Sequence, residues 1–143
     1  MTIRKIHGVT VDADTVDGND SAALLLPSAF AKLETRDLSA GAGDVAYTGY
    51  GFTPRGLIMG WRNAADEVGS LGVAGSDGAG VCVYYDYENS KMLTSDFLFH
   101  YQSTSSKYTQ AIVKTYDADG FTLTWTKTGT PARTISMIVF AVK

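Results

Sequence analysis

Chemistry in this chain of 143 residues would have to come from few side chains: two histidines, one cysteine and fifteen acids. His7 and His100 stand in different regions, and neither belongs to a Ser–His–Asp order or a Cys–His pairing. His100 follows Phe97-Leu98-Phe99 and reads as a strand residue with one face to solvent. The acid pairs Asp66-Glu67 and Asp117/Asp119 fall in turn-like stretches, where carboxylates are common for conformational reasons. The stretch Asp12-Ala13-Asp14-Thr15-Val16-Asp17-Gly18 invites comparison with a calcium loop. Such a loop needs oxygen ligands at its first, third and fifth positions, glycine at the sixth and glutamate at the twelfth. Counted from Asp12, those last three positions hold Val16, Asp17 and Ala23, so an Asp-Gly turn fits better. Cys82, inside Val81-Cys82-Val83-Tyr84, reads as a buried small hydrophobe. Gly49-Tyr50-Gly51-Phe52 and Gly78-Ala79-Gly80 lack the spacing of a phosphate loop and read as turns. The expectation is a chain without catalytic, metal-ligating or cofactor-binding residues, and without a cofactor. The one suggestive class is aromatic. Tyr84, Tyr85, Tyr87, Tyr101 and Tyr108 lie in alternating stretches, where outward rings would stack on sugars or fill protein interfaces, and inward ones would line a sheet or a subunit seam.

Composition narrows the partners. Charged residues make up 19% of the chain, against roughly 25% in soluble domains, which suggests surface hidden against a partner or a second copy, or polarity carried by hydroxyls instead. The net charge is −3 with lysines and arginines scattered singly, so no basic stripe is present to follow a nucleic-acid backbone. A single cysteine excludes an intrachain disulfide framework. No apolar core of a signal peptide is visible near residues 1–7, and the widest apolar run, residues 137–142, is far short of the ~20 residues of a membrane helix.

The elements that would position any site are strands. Residues 1–43 read as a separate arm: acidic at first, then Leu24-Leu25-Leu26-Pro27, then one or two helical turns over residues 28–33 opened by Pro27 or Ser28. Residues 39–44 (Ser-Ala-Gly-Ala-Gly-Asp) read as a flexible joint. Residues 44–143 read as seven or eight short strands separated by turns, which argues an antiparallel β-sandwich or barrel. Phe121, Leu123 and Trp125 alternate with Thr122, Thr124 and Thr126, placing the first set on a buried face. Asp117-Ala118-Asp119-Gly120 predicts a hairpin between the strands at 108–116 and 121–127. Leu57-Ile58-Met59 and residues 133–142 carry apolar side chains of both parities and predict strands covered on both faces. The alternative for the arm is that it supplies an edge strand and helix to one compact domain.

Two resemblances add a context. Val11-Asp12-Ala13-Asp14-Thr15-Val16-Asp17-Gly18 with Asn19-Asp20-Ser21-Ala22 resembles an element of bacteriophage tail and tail-fibre proteins. The openings Gly43-Asp44-Val45-Ala46-Tyr47-Thr48-Gly49-Tyr50-Gly51-Phe52-Thr53-Pro54-Arg55 and Asp119-Gly120-Phe121-Thr122-Leu123-Thr124-Trp125-Thr126 resemble phage structural domains and are similar in pattern to the H-type lectin domain. That family implies a six-stranded antiparallel sandwich, a homotrimer and binding of N-acetylgalactosamine-like sugars. Where its last strand usually carries tryptophan, this chain has Val139 or Phe140, and the family's sugar-contacting residues have no counterparts here that can be placed.

The expected function is therefore a non-enzymatic bacteriophage virion protein (tail-fibre, minor tail or head-fibre component), made in the host cytoplasm and assembled into the particle. Its arm would dock on other virion proteins, and its H-type-lectin-like sandwich would form homotrimers and face outward, with a host surface glycan as a candidate ligand. Nucleic acid and membrane insertion are not expected. The alternative is a capsid decoration protein that coats or cements the head without a receptor.

Overall fold

The computed structural model describes residues 29–63, 68–86 and 91–143. Residues 1–28 with His7, the Asp12–Gly18 stretch and the leucine run, together with Asp66, Glu67 and Tyr87, lie outside the described residues. The described chain is all-β: β1 (Ala29–Asp37), β2 (Gly43–Thr48), β3 (Gly56–Asn63), β4 (Val68–Ala74), β5 (Gly80–Asp86), β6 (Lys91–Ser95), β7 (Phe99–Thr104), β8 (Lys107–Asp117), β9 (Gly120–Thr128) and β10 (Thr134–Val142). They form two antiparallel sheets, a larger one of order β1-β10-β3-β4-β5-β6 and a smaller one of order β2-β9-β8-β7, packed as a sandwich.

The core is the set of inward positions of both sheets. β9 contributes Phe121, Leu123 and Trp125, all buried, while Thr122, Thr124 and Thr126 face away, as the alternation predicts. β10 contributes Ile135, Met137, Val139 and Ala141, and β3 contributes Leu57, Met59 and Trp61. Aromatic rings link the sheets: Trp61 stacks on Phe99 at 5.4 Å, Phe99 meets Trp125 at 5.0 Å, and Phe121 sits 5.3 Å from both Tyr47 and Tyr50. Each buried side chain of this size contributes about 1.5–3 kcal/mol by leaving water. The hairpin forms as predicted, with Asp117 paired to Gly120 and a two-residue turn between. Gly120 has φ +151°, and a Cβ there would lie 2.0 Å from the Tyr47 carbonyl oxygen, so the turn needs glycine on two counts.

Four expectations need correction. Residues 29–37 are a strand, not helical turns: β1 pairs with β10 in unbroken register from Ala29↔Val142 to Asp37↔Thr134. Nine paired residues in a ladder outweigh a local capping signal. The sandwich thus begins by residue 29 rather than 44, with β1 as its edge strand. Second, residues 39–44 are a bonded corner rather than a loose joint. Leu38 is buried and donates its N–H to the Arg133 carbonyl, Arg36 donates to the Gly41 carbonyl, and Lys127 donates to the carbonyls of Ser39 and Ala40. Third, β3 and β10 are interior strands covered on one face only, since Ile58, Ile138, Phe140 and Val142 are exposed. Fourth, the polar segment Lys91–Ser95, which the sequence reading passed over, forms β6.

Candidate binding surfaces

The predicted chemical residues resolve into structural parts. His100 is buried rather than half-open. Its ring stacks on Tyr84 at 3.7 Å and lies near-parallel to Tyr108 at 6.2 Å. Gln110 Nε2 lies 3.0 Å from Nδ1, and Nε2 lies 3.2 Å from Gln102 Oε1. The pattern matches an imidazole protonated at Nε2, accepting from one amide and donating to the other. With both nitrogens engaged, this ring has no lone pair to offer a substrate. Its work is to fasten the edge strand β7 between β8 and β5, helped by Ser70, whose Oγ accepts from Trp61 Nε1 at 2.7 Å and from the His100 N–H at 3.4 Å.

Asp117 and Asp119 are likewise committed locally. Thr122 donates to Asp117 at 2.8 Å. The Asp119 carboxylate accepts the N–H groups of Gly51 at 2.6 Å and Gly49 at 2.9 Å, and its carbonyl accepts from Tyr50. The two motifs that carry the phage-domain resemblance, Gly49-Tyr50-Gly51 and Asp119-Gly120-Phe121, are thus one clamp. The Gly51 N–H first, then that of Gly49, holds the Asp119 acid below its ordinary value of 3.8. A carboxylate depressed in the folded state stabilises it above the unfolded value and loses that contribution as pH falls through the folded one. Asp119→Ala should therefore lower the urea midpoint at pH 7, and the gap to the parent should narrow below about pH 4. A gap of constant size from pH 7 to pH 3 would show that the charge is immaterial.

Cys82 is buried, and burial pushes its thiol above its ordinary value, so it is a poor nucleophile at neutral pH. Tyr84 and Tyr101 are buried and line the interior, while Tyr85 and Tyr108 are half-buried. Among the described residues no three His, Cys, Asp or Glu side chains come together as a metal site, and no helix is long and apolar enough to cross a membrane.

The feature the sequence reading missed is a surface. On the outer face of the larger sheet, the cross-strand row Leu33, Ile138, Gly60, Leu71, Val83 and Thr94 runs edge to edge, and beside it lies the row Ala31, Phe140, Ile58, Val73 and Val81. Neither row contains a charge. Leu33 is 64% exposed, Leu71 59% and Met92 61%. At the β5–β6 end of this face, Arg62, Leu71, Val83, Tyr85 and Met92 wall an apolar pocket of about 500 Å³ over Gly69. No family model, no curated protein and no solved structure matches this chain. The functional reading therefore rests on the residues and surfaces described above.

The opposite outer face supplies an internal contrast. The smaller sheet presents Thr122, Thr124, Thr126, Gln110 and Lys114, with Lys114 ion-paired to Asp44 and Thr124 donating to that same carboxylate at 2.7 Å. This is an ordinary hydrated sheet face. The larger sheet's outer face is built by a different rule, and β1 makes that plain. Its core-side positions carry Phe30, Lys32, Glu34 and Arg36, and its outer positions carry Ala29, Ala31 and Leu33 before ending on Thr35 and Asp37. The core-side charges are provided for. Lys32 pairs with Glu34 at 3.0 Å and donates to the Thr48 carbonyl, and the Arg36 guanidinium lies 5.0 Å from the Trp125 ring.

Proposed function

We propose that this chain is a structural protein of a bacteriophage particle, a tail-fibre, minor-tail or head-fibre component, whose sandwich works by contact rather than by catalysis. The observation that carries the reading is the outer face of the larger sheet, where ten large apolar side chains of the described residues are exposed and the two central rows hold no charge. Two further points support it. Among the described residues, His100 and Asp119 are engaged in holding strands and turns. The two motifs that resemble those of phage structural domains meet in this fold as one clamp. In this reading the chain is a homotrimer located in the virion, attached to other virion proteins through its amino-terminal segment, with a host surface glycan as the ligand of its exposed end.

The test is location. Mass spectrometry of purified particles should detect the chain, and gold-labelled antibody should mark tail or fibre tips. Label spread over the head would favour the capsid decoration reading. Absence from purified particles would overturn both. A glycan array probed with the purified protein tests the ligand separately.

A further inference from the structure

We propose that the outer face of the larger sheet is the seam at which copies of this chain meet, sheet against sheet. The inference rests on the reading of the chain as a self-associating structural protein and assigns the surface responsible.

The first argument is distribution. Of the twelve exposed large apolar side chains among the described residues, all but Phe30 and Ile112 lie on this face. The second is the polarity of β1. In a strand the side-chain period is two, so a one-residue slip would exchange its faces. The chain instead keeps Lys32, Glu34 and Arg36 on the core side, where they need specific partners, and leaves Ala31 and Leu33 outside. Inward charges are one way an edge strand avoids pairing with a stray chain, and here they leave the aliphatic positions outside. The outer side of β1 is therefore apolar over Ala29, Ala31 and Leu33, with Thr35 and Asp37 only at its far end.

The third argument is size. Six strands at about 4.8 Å and three side-chain rows at about 7 Å give a face of about 600 Å². Two such faces in contact bury on the order of 1,000 Å², the threshold of a specific interface. Contiguous exposed apolar patches on monomers seldom exceed about 300–600 Å². The fourth is charge. The chain carries net −3, so a contact between copies that holds no charge avoids like-charge repulsion, and the two central rows satisfy that. The same lack of charge disfavours other occupants. A sugar needs directional polar groups, and an anionic bilayer needs more than the single Arg62 at the margin of this face.

The experiment uses the full chain in light scattering coupled to gel filtration at about 1–50 µM. The parent should run heavier than one chain. Leu71→Glu, at the centre of the face, should shift it to a single chain that still unfolds cooperatively. Thr124→Glu, on the hydrated face, should leave the heavier species intact. If Leu71→Glu does not fold, Leu33→Lys at the exposed edge strand replaces it, and a photo-crosslinking residue at position 71 of the parent should give inter-chain crosslinks to peptides of β3, β4, β5 or β10. A monomeric parent across the range, a folded Leu71→Glu that keeps the parent's mass, or inter-chain crosslinks only to the smaller sheet would each overturn the seam. A monomeric parent that binds lipid vesicles or another particle protein would do the same and reassign the face. Particle mass spectrometry is independent of these results, so a failed seam and a failed virion assignment remain distinguishable.

Discussion

Gly72→Ala should cause one of the largest stability losses of any single-methyl change in the protein. A Cβ at Gly72 would lie 1.8 Å from the Leu98 carbonyl oxygen and 2.7 Å from its carbonyl carbon, both main-chain atoms. Leu98 cannot simply retreat. Its side chain is buried, and its N–H donates to the Ala111 carbonyl at 2.9 Å, anchoring the start of β7 to β8. Overpacking of a core commonly costs about 1–3 kcal/mol, and a rigid backbone neighbour puts this case at about 3 kcal/mol or above. The urea midpoint measures it. Gly41, with nothing within 4 Å of its notional Cβ, is the control, and Gly41→Ala should change the midpoint little. Similar shifts for the two variants would mean that the close approach of β4 and β7 is not as described.

Trp125→Ala should cost about 3–5 kcal/mol, the usual range for removing a large buried aromatic. Trp125 is 1% exposed, contacts Phe99, and carries the Arg36 guanidinium over its ring. Truncation opens a cavity between the sheets and strips a partly buried cation of the surface it rests on. Trp125→Phe should lose less, since it keeps most of the volume. Trp61 remains as a fluorescent reporter in both variants, and guanidinium unfolding followed by its emission gives the comparison. A Trp125→Ala protein with a midpoint near the parent's would place the indole outside the core.

Much of this fold was readable from local pattern because most strands obey the simple rule of apolar in, polar out. β9 is the clearest case, and its threonines announce both the strand and its solvent face. β1 was misread because it inverts the rule. With charges at 32, 34 and 36 and aliphatics at 31 and 33, no apolar face points to a core, and Pro27-Ser28 supplies a competing helix-start signal. The runs at 57–59 and 137–142 were correctly seen as apolar on both parities, but the inference of a double cover assumes that everything apolar is buried within one chain. The binding face stayed hidden for the same reason: its residues come from all six strands of the larger sheet, and only the pairing register places Leu33, Ile138 and Leu71 in one row. Gln110 reaches His100 through the β7–β8 pairing and Tyr84 by stacking from the other sheet, contacts that no local window contains.

The pairing of β1 with β10 joins Ala29 to Val142 across nearly the whole length of the chain. During translation, β1 emerges before residues 134–142, its strand partner among the described residues, and β3 has that side open for the same interval. Contacts this distant in sequence close slowly, and a nascent chain holding unpaired strand edges is vulnerable to aggregation. The inward charges of β1 suit that interval, since Lys32, Glu34 and Arg36 keep a waiting strand soluble and discourage its pairing with a stray chain. The same timetable orders assembly. Because β10 joins β1 to the rest of the larger sheet, the apolar rows reach their full width only once it is inserted.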